Sequence, residues 1–127
     1  MSVIYLDTHV AVFLHAGAVE ELSVEAKRQI ELHDLLISSM VFLEFEYLFE
    51  RKVIAADART ILTDLNADFG VSLCQLPFSH IAKEATELSS VRDPFDRLIV
   101  ANAKANGNAV LISKDRLIRR HYSRAIW

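Results

Sequence analysis

Apolar residues fall along this chain in short unbroken runs separated by longer stretches of helical spacing. "SVIYL" is a β-forming run closed by Asp7 and Thr8, and it predicts a buried strand followed by the helix "HVAVFLHA". Ser23 reads as an N-cap, with Glu25 in the first turn of "VEAKRQIELH". "DLLISS" predicts a second strand and "MVFLEFEYLFERK" a long apolar helix after it. "ADARTILTDLNADFG" is helical with a stop at Gly70, "VSLCQL" predicts a third strand, and "SHIAKEATEL" a helix starting at its serine, Ser79. In "RDPFDRLIVANAKAN" Asp93 caps a helix that has Pro94 in its first turn and Gly107 as its end. "NAVLIS" is a fourth strand, "KDRLIRRHY" a short basic helix, and "AIW" a closing edge strand. Strands that lack clean alternation and are separated by helices predict a mainly parallel sheet of four to five strands, covered on both faces in an α/β three-layer domain.

At 127 residues the chain is expected to form a single domain, 1–127, without repeats or low-complexity segments. A hydrophobic share of 52% is high for that size and points to apolar surface covered by a partner or a second copy. The apolar N-terminus has no basic leader and is interrupted by Asp7 and His9, so neither a signal peptide nor a membrane span is expected, and the protein reads as cytoplasmic. Cys74 is the only cysteine, so an internal disulfide and a thiolate metal site are excluded, and it reads as buried filler. The net charge of −3 conceals an asymmetry. From Arg92 onward there are eight Lys/Arg against three acids, which leaves six against fourteen in the first 91 residues. A basic C-terminal third is compatible with phosphate contacts on one side, although ordinary solvated charge is the more common origin of such a skew.

In an open parallel sheet, ligands bind beyond the carboxyl ends of the strands, which singles out four acids. Asp7 follows the first strand and Asp115 follows the fourth by two residues. Glu44 has Met40, Val41, Tyr47 and Leu48 as its helical neighbours, whereas Glu46 pairs with Glu50 on a side that reads as solvated. Asp96 has Ile99, Val100 and Ala103 at those spacings and therefore faces inward. Taken singly, each has a structural explanation: Asp7, Asp93 and Asp115 are placed to cap helices, Asp96 to face a helix N-terminus, and Glu44 to pair with Arg97. Capping does not explain four acids at one sheet edge. If they converge, their mutual repulsion calls for a cation, and oxygen-only ligands favour Mg²⁺ or Mn²⁺, the ions suited to phosphodiester hydrolysis. The five histidines show no zinc-ligand spacing, and only His9 adjoins the site.

With these residues in view, the sequence resembles the PIN-domain ribonucleases, and among them the VapC-like toxins of toxin–antitoxin pairs. "YLDTHVAVF", "ISSMVFLEFEYL", "RDPFDRLIVANA" and "VLISKD" look like the family's four motifs, in order and at full-length spacing. The resemblance implies a PIN-like α/β/α fold with Asp7, Glu44, Asp96 and Asp115 as catalytic, metal-binding acids. Asp93, Ser113 and Thr8 are implied accessories. It further implies an endoribonuclease using Mg²⁺ or Mn²⁺, an RNA substrate, a homodimer, and a cognate antitoxin. Arg92, Arg97, Lys114 and Arg116, with Arg119 and Arg120 behind them, are candidates to meet the RNA backbone. Val91, Leu43 and Val41 depart from residues frequent in the subgroup, but none is a proposed ligand.

Other readings fit less well. A phosphoacceptor receiver domain would need paired acids after the first strand and an aspartate ending a middle strand, and a haloacid-dehalogenase-like phosphatase would need an aspartate where His9 stands. No glycine-rich phosphate loop is present. The alternative from another class is a non-catalytic RNA- or protein-binding module with the same fold.

Overall fold

The structure is a computed structural model and describes residues 2–127. Five parallel strands form one sheet: β1 (Val3–Leu6), β2 (Asp34–Ile37), β3 (Ser72–Leu73), β4 (Val110–Ile112) and β5 (Ala125–Ile126), in the order β3-β2-β1-β4-β5. Ile4, Tyr5 and Leu6 point alternately to opposite faces of the sheet, yet all are buried, so both faces are covered. This is why the runs "VIYL" and "VLI" lack polar alternation. Each such side chain contributes about 1.5–3 kcal/mol by leaving water.

The covering helices are α1 (Thr8–His15), α2 (Val24–Leu32), α3 (Ser39–Glu50), α4 (Ala58–Phe69), α5 (Phe78–Ala85), α6 (Pro94–Ala105) and α7 (Arg116–His121). Most start where a side chain satisfies their free N–H groups. Asp7, Ser23, Ser38, Asp57, Asp93 and Asp115 each accept a hydrogen bond from the first turn of the helix that follows. Gly70 ends α4 in the left-handed region, where a side chain would be strained.

Three details depart from expectation. The third strand pairs over only two residues, because the chain leaves the sheet after Cys74, whose Sγ accepts from Leu76 N, and Pro77 has no N–H to extend a ladder. Helix α5 does not start at Ser79: Pro77 occupies the cap position with φ fixed near −59°, and Ser79 lies inside the first turn. A 3-10 turn at Val19–Glu21 between α1 and α2 carried no signal in the pattern.

Connections run outward from β1 to β2 and β3, and then the chain crosses back to β4 on the other side of β1. The strand order therefore reverses between β1 and β4. Crevices form at such a point, beyond the carboxyl ends of the strands. Among the described residues, no helix is long and apolar enough to cross a membrane.

Candidate active site

Asp7 and Ser113 stand at this reversal. Asp7 N donates to Ile112 O at 3.0 Å, which locks the ends of β1 and β4 together. Asp7 is only 6% exposed. Its Oδ1 accepts from Thr8 N at 2.8 Å and its Oδ2 from Ser113 Oγ at 2.6 Å. Burial pushes its pKa above the ordinary value, while those two donors and the charge of His9 pull the other way.

The other acids arrive from separate elements. Glu44, half-buried on α3, accepts a short hydrogen bond from Thr8 Oγ1, so Thr8 bridges the start of α1 to α3. Burial raises the Glu44 pKa, with further increments from Asp7 and Asp93. Asp96, in the first turn of α6, is pushed up to about 7, first by burial and then by the charges of Asp93, Asp7, Asp115 and Glu44. Asp115 accepts from Leu117 N at 2.8 Å and Ile118 N at 3.1 Å. Its own N–H donates to Ser113 Oγ at 3.1 Å, so one hydroxyl joins two of the acids.

Four elements thus bring Asp7, Glu44, Asp96 and Asp115 within electrostatic reach of one another. Among the described residues none of the four forms an ion pair; the salt bridges are His15–Asp64, Arg28–Glu25 and Lys104–Glu84. The Glu44–Arg97 pair considered from the sequence does not form. Arg97 Nε donates instead to Ala85 O at 2.8 Å and ties α6 to α5. Among the described residues no three acidic, histidine or cysteine side chains enclose an ion as they are placed. The hydrogen bonds give the physical reason: Glu44 leans on Thr8, and Asp115 is turned to cap α7. The donor set is all oxygen and carries excess negative charge, and its chemistry fits a hard divalent ion.

Asp93 is exposed and accepts from Asp96 N at 3.0 Å, the capping role expected of it. Arg92, Lys114 and Arg116 are exposed beside the acids in sequence, Lys114 lying over the Phe13 ring at 5.8 Å. Glu46 is not the solvated residue its spacing implied: it is half-buried and its Oε1 accepts from Ala58 N at the start of α4. Its partner lies twelve residues away, beyond the reach of helical periodicity. The edge-to-face pair Tyr47–Phe95 joins two helices and has no sequence signal as a unit, although Tyr47 lies three residues from Glu44 and Phe95 adjoins Asp96.

The comparisons with known proteins bear on the fold and the family. Solved structures with the same fold include two toxin–antitoxin-type assemblies. One is VapBC2 from Rickettsia felis bound to a DNA fragment from their promoter, 17% identical with a TM-score of 0.65. The other is a toxin–antitoxin complex from Klebsiella pneumoniae, 16% identical with a TM-score of 0.65. Each comparison covers 98% of this chain and 96% of the other. No curated protein matches the sequence. The PIN domain family matches residues 4–123, nearly the whole length, with the acids at the sheet's carboxyl edge inside the match, and the chain belongs to that family.

Proposed function

We propose that this single PIN domain is a metal-dependent endoribonuclease and the toxin of a toxin–antitoxin pair. The observation that carries the reading is the set Asp7, Glu44, Asp96 and Asp115. They lie around the strand-order reversal, burial and neighbouring carboxylates raise the pKa values of Asp7, Glu44 and Asp96, and none of the four forms an ion pair among the described residues. Capping accounts for Asp115, but not for a half-buried Glu44 or for an Asp96 held near neutrality.

In this reading Asp7, Glu44, Asp96 and Asp115 hold Mg²⁺ or Mn²⁺. When bound, the ion supplies charge neutralisation and an activated water for attack on phosphorus. The protein's own groups do the positioning. Ser113 fixes the Asp7 carboxylate and the Asp115 backbone at once, and Thr8 holds Glu44 within reach of Asp7. Asp96, its pKa pushed up to about 7, would have to give up its proton to serve as a ligand. Arg92, Lys114 and Arg116 offer exposed charge to the RNA backbone, and Arg97 secures the helix bearing Asp96.

The antitoxin and a second copy of the chain are the proposed protein partners, and the cytoplasm is the proposed site of action. The two structural neighbours support the antitoxin, both being toxin–antitoxin assemblies. A mainly apolar cleft of about 320 Å³, lined by residues such as Leu14, Leu22, Leu35 and Phe69 with Lys27 and Glu31 among them, suits an amphipathic segment of such a partner. Exposed Phe49 and Val53 offer further apolar surface.

The rival reading, a binding module without catalysis, draws on the carboxylates not enclosing an ion as placed. A nuclease assay on structured and unstructured RNA with Mn²⁺, Mg²⁺ or EDTA, run with wild type and Asp7→Asn, separates the two. Metal-dependent cutting lost in the variant is expected. Unchanged cutting by Asp7→Asn and Asp96→Asn would sink the site assignment, and absence of both cutting and metal binding would favour the binding module.

A further inference from the structure

Tyr47 follows Glu44 by three residues on α3, so the two leave the same side of that helix, while Phe95 immediately precedes Asp96 on α6. Their rings meet with centroids 5.7 Å apart and planes at 84°. In an edge-to-face pair one ring gives its edge and the other a face. Whichever part Tyr47 plays, at least one of its faces is left uncovered by Phe95. Tyr47 is 44% exposed, so its ring stands half in water one helical turn from an acid of the site. Leu43, also exposed, extends the patch by one side chain on the same flank of α3.

We propose that Tyr47, propped by Phe95, is a stacking platform for one unpaired nucleobase of single-stranded RNA beside the phosphate at the acids. The proposal rests on the ribonuclease reading and names the part of the substrate that this rim recognises. A strand that presents its backbone to the acids must carry its bases past the neighbouring surface. Single-stranded recognition characteristically uses exposed aromatic faces, because every base has a π-face, whereas the bases of a duplex are already stacked. The surroundings favour this occupant over an apolar protein surface. Two rings and a leucine bury little area, and they are flanked by Glu44 and Asp96, with Arg92 preceding the same helix.

The test is fluorescence anisotropy in Ca²⁺ with a labelled oligouridylate and an equally long abasic ribose–phosphate oligomer, on wild type, Tyr47→Ala and Tyr47→Trp. Wild type is expected to prefer the base-bearing strand by roughly 5- to 150-fold, the range of base–aromatic stacking. Tyr47→Ala should lose most of that preference, and Tyr47→Trp should keep it. An undiminished preference in Tyr47→Ala overturns the platform. So does a Tyr47→Ala protein that light scattering shows to have lost a dimer, which would assign the patch to a second copy. A wild type that cuts RNA in the preceding assay yet shows no base preference defeats the platform alone. One that neither cuts RNA nor binds either oligomer defeats the ribonuclease reading with it.

Discussion

Ser113 Oγ donates to Asp7 Oδ2 at 2.6 Å and accepts from Asp115 N at 3.1 Å, so a fully buried hydroxyl fixes the acid after β1 and the backbone of the acid after β4. Ser113→Ala removes a donor from a carboxylate whose pKa burial already raises. The loss should cost about 1–3 kcal/mol, the penalty for stranding a buried polar group. It should be larger at alkaline than at acidic pH, since only the ionised carboxylate needs the donor. Denaturant titrations at the two extremes check this, and an equal cost at both would show that the hydroxyl matters only as packing. Metal affinity should fall roughly 10- to 100-fold, as for an outer-shell partner.

Glu44 and Glu46 lie two residues apart on α3 and should separate site from scaffold. Glu46→Ala deprives Ala58 N of its acceptor at the start of α4 and should cost about 0.5–2 kcal/mol while leaving RNA cutting intact. Glu44→Gln keeps a partner for Thr8 and removes a charge that burial disfavours, so stability should hold or rise at neutral and alkaline pH. Its cutting should fall by more than the roughly 10- to 100-fold that loss of an outer-shell group costs. Thermal melts and RNA cleavage on both variants decide it, and a reversed pattern would refute the assignment of Glu44.

These two glutamates also show where sequence reasoning reaches and where it stops. The strands were legible because both faces of the sheet are covered, and Asp93 and Ser23 because a cap acts within its own first turn. Asp7, Glu44, Asp96 and Asp115 could be singled out because each stands just after a strand or faces inward by helical spacing. The partner of Glu46 lies in another helix, and the pairing of Arg97 with Ala85 O was set by how α5 docks on α6. The shortness of β3 depended on what Cys74 meets, and its partners Tyr5 and Asn102 are 69 and 28 residues away. No local pattern carries such information.

Those distant partners form a buried polar network. Asn106 and Asn102 donate to Tyr5 Oη at 2.8 and 3.2 Å, and Tyr5 donates to Cys74 Sγ at 3.1 Å. It clamps β1, two residues before Asp7, onto the helix that carries Asp96. Tyr5→Phe leaves the Asn106 amide without its acceptor, while Asn102 keeps Cys74 Sγ, and should cost about 1–3 kcal/mol. Combined with Asn106→Ala the loss should be less than additive, with a coupling of roughly 0.5–3 kcal/mol in a double-mutant cycle of denaturation free energies. Strict additivity would mean that the two groups do not act on each other.

Asp96 gives the sharpest pH signature. Its pKa stands at about 7 against an ordinary 3.8, so between those values the folded protein holds a proton that the unfolded chain has released. Stability must therefore fall as pH rises through that window, and the penalty is complete above it. Asp7 and Glu44, whose pKa values are also raised, tilt the curve the same way. Melting wild type in EDTA from about pH 5 to pH 8 should show this decline, and Asp96→Asn should flatten it. At the alkaline end the variant should gain about 1–2 kcal/mol, a figure discounted for the half-exposed side chain. Mn²⁺ should reverse the trend for wild type, because binding releases the proton and affinity climbs until Asp96 is ionised. A wild type whose stability in EDTA rises across the window, or which Mn²⁺ leaves unmoved at alkaline pH, would show that the carboxylates do not share an ion.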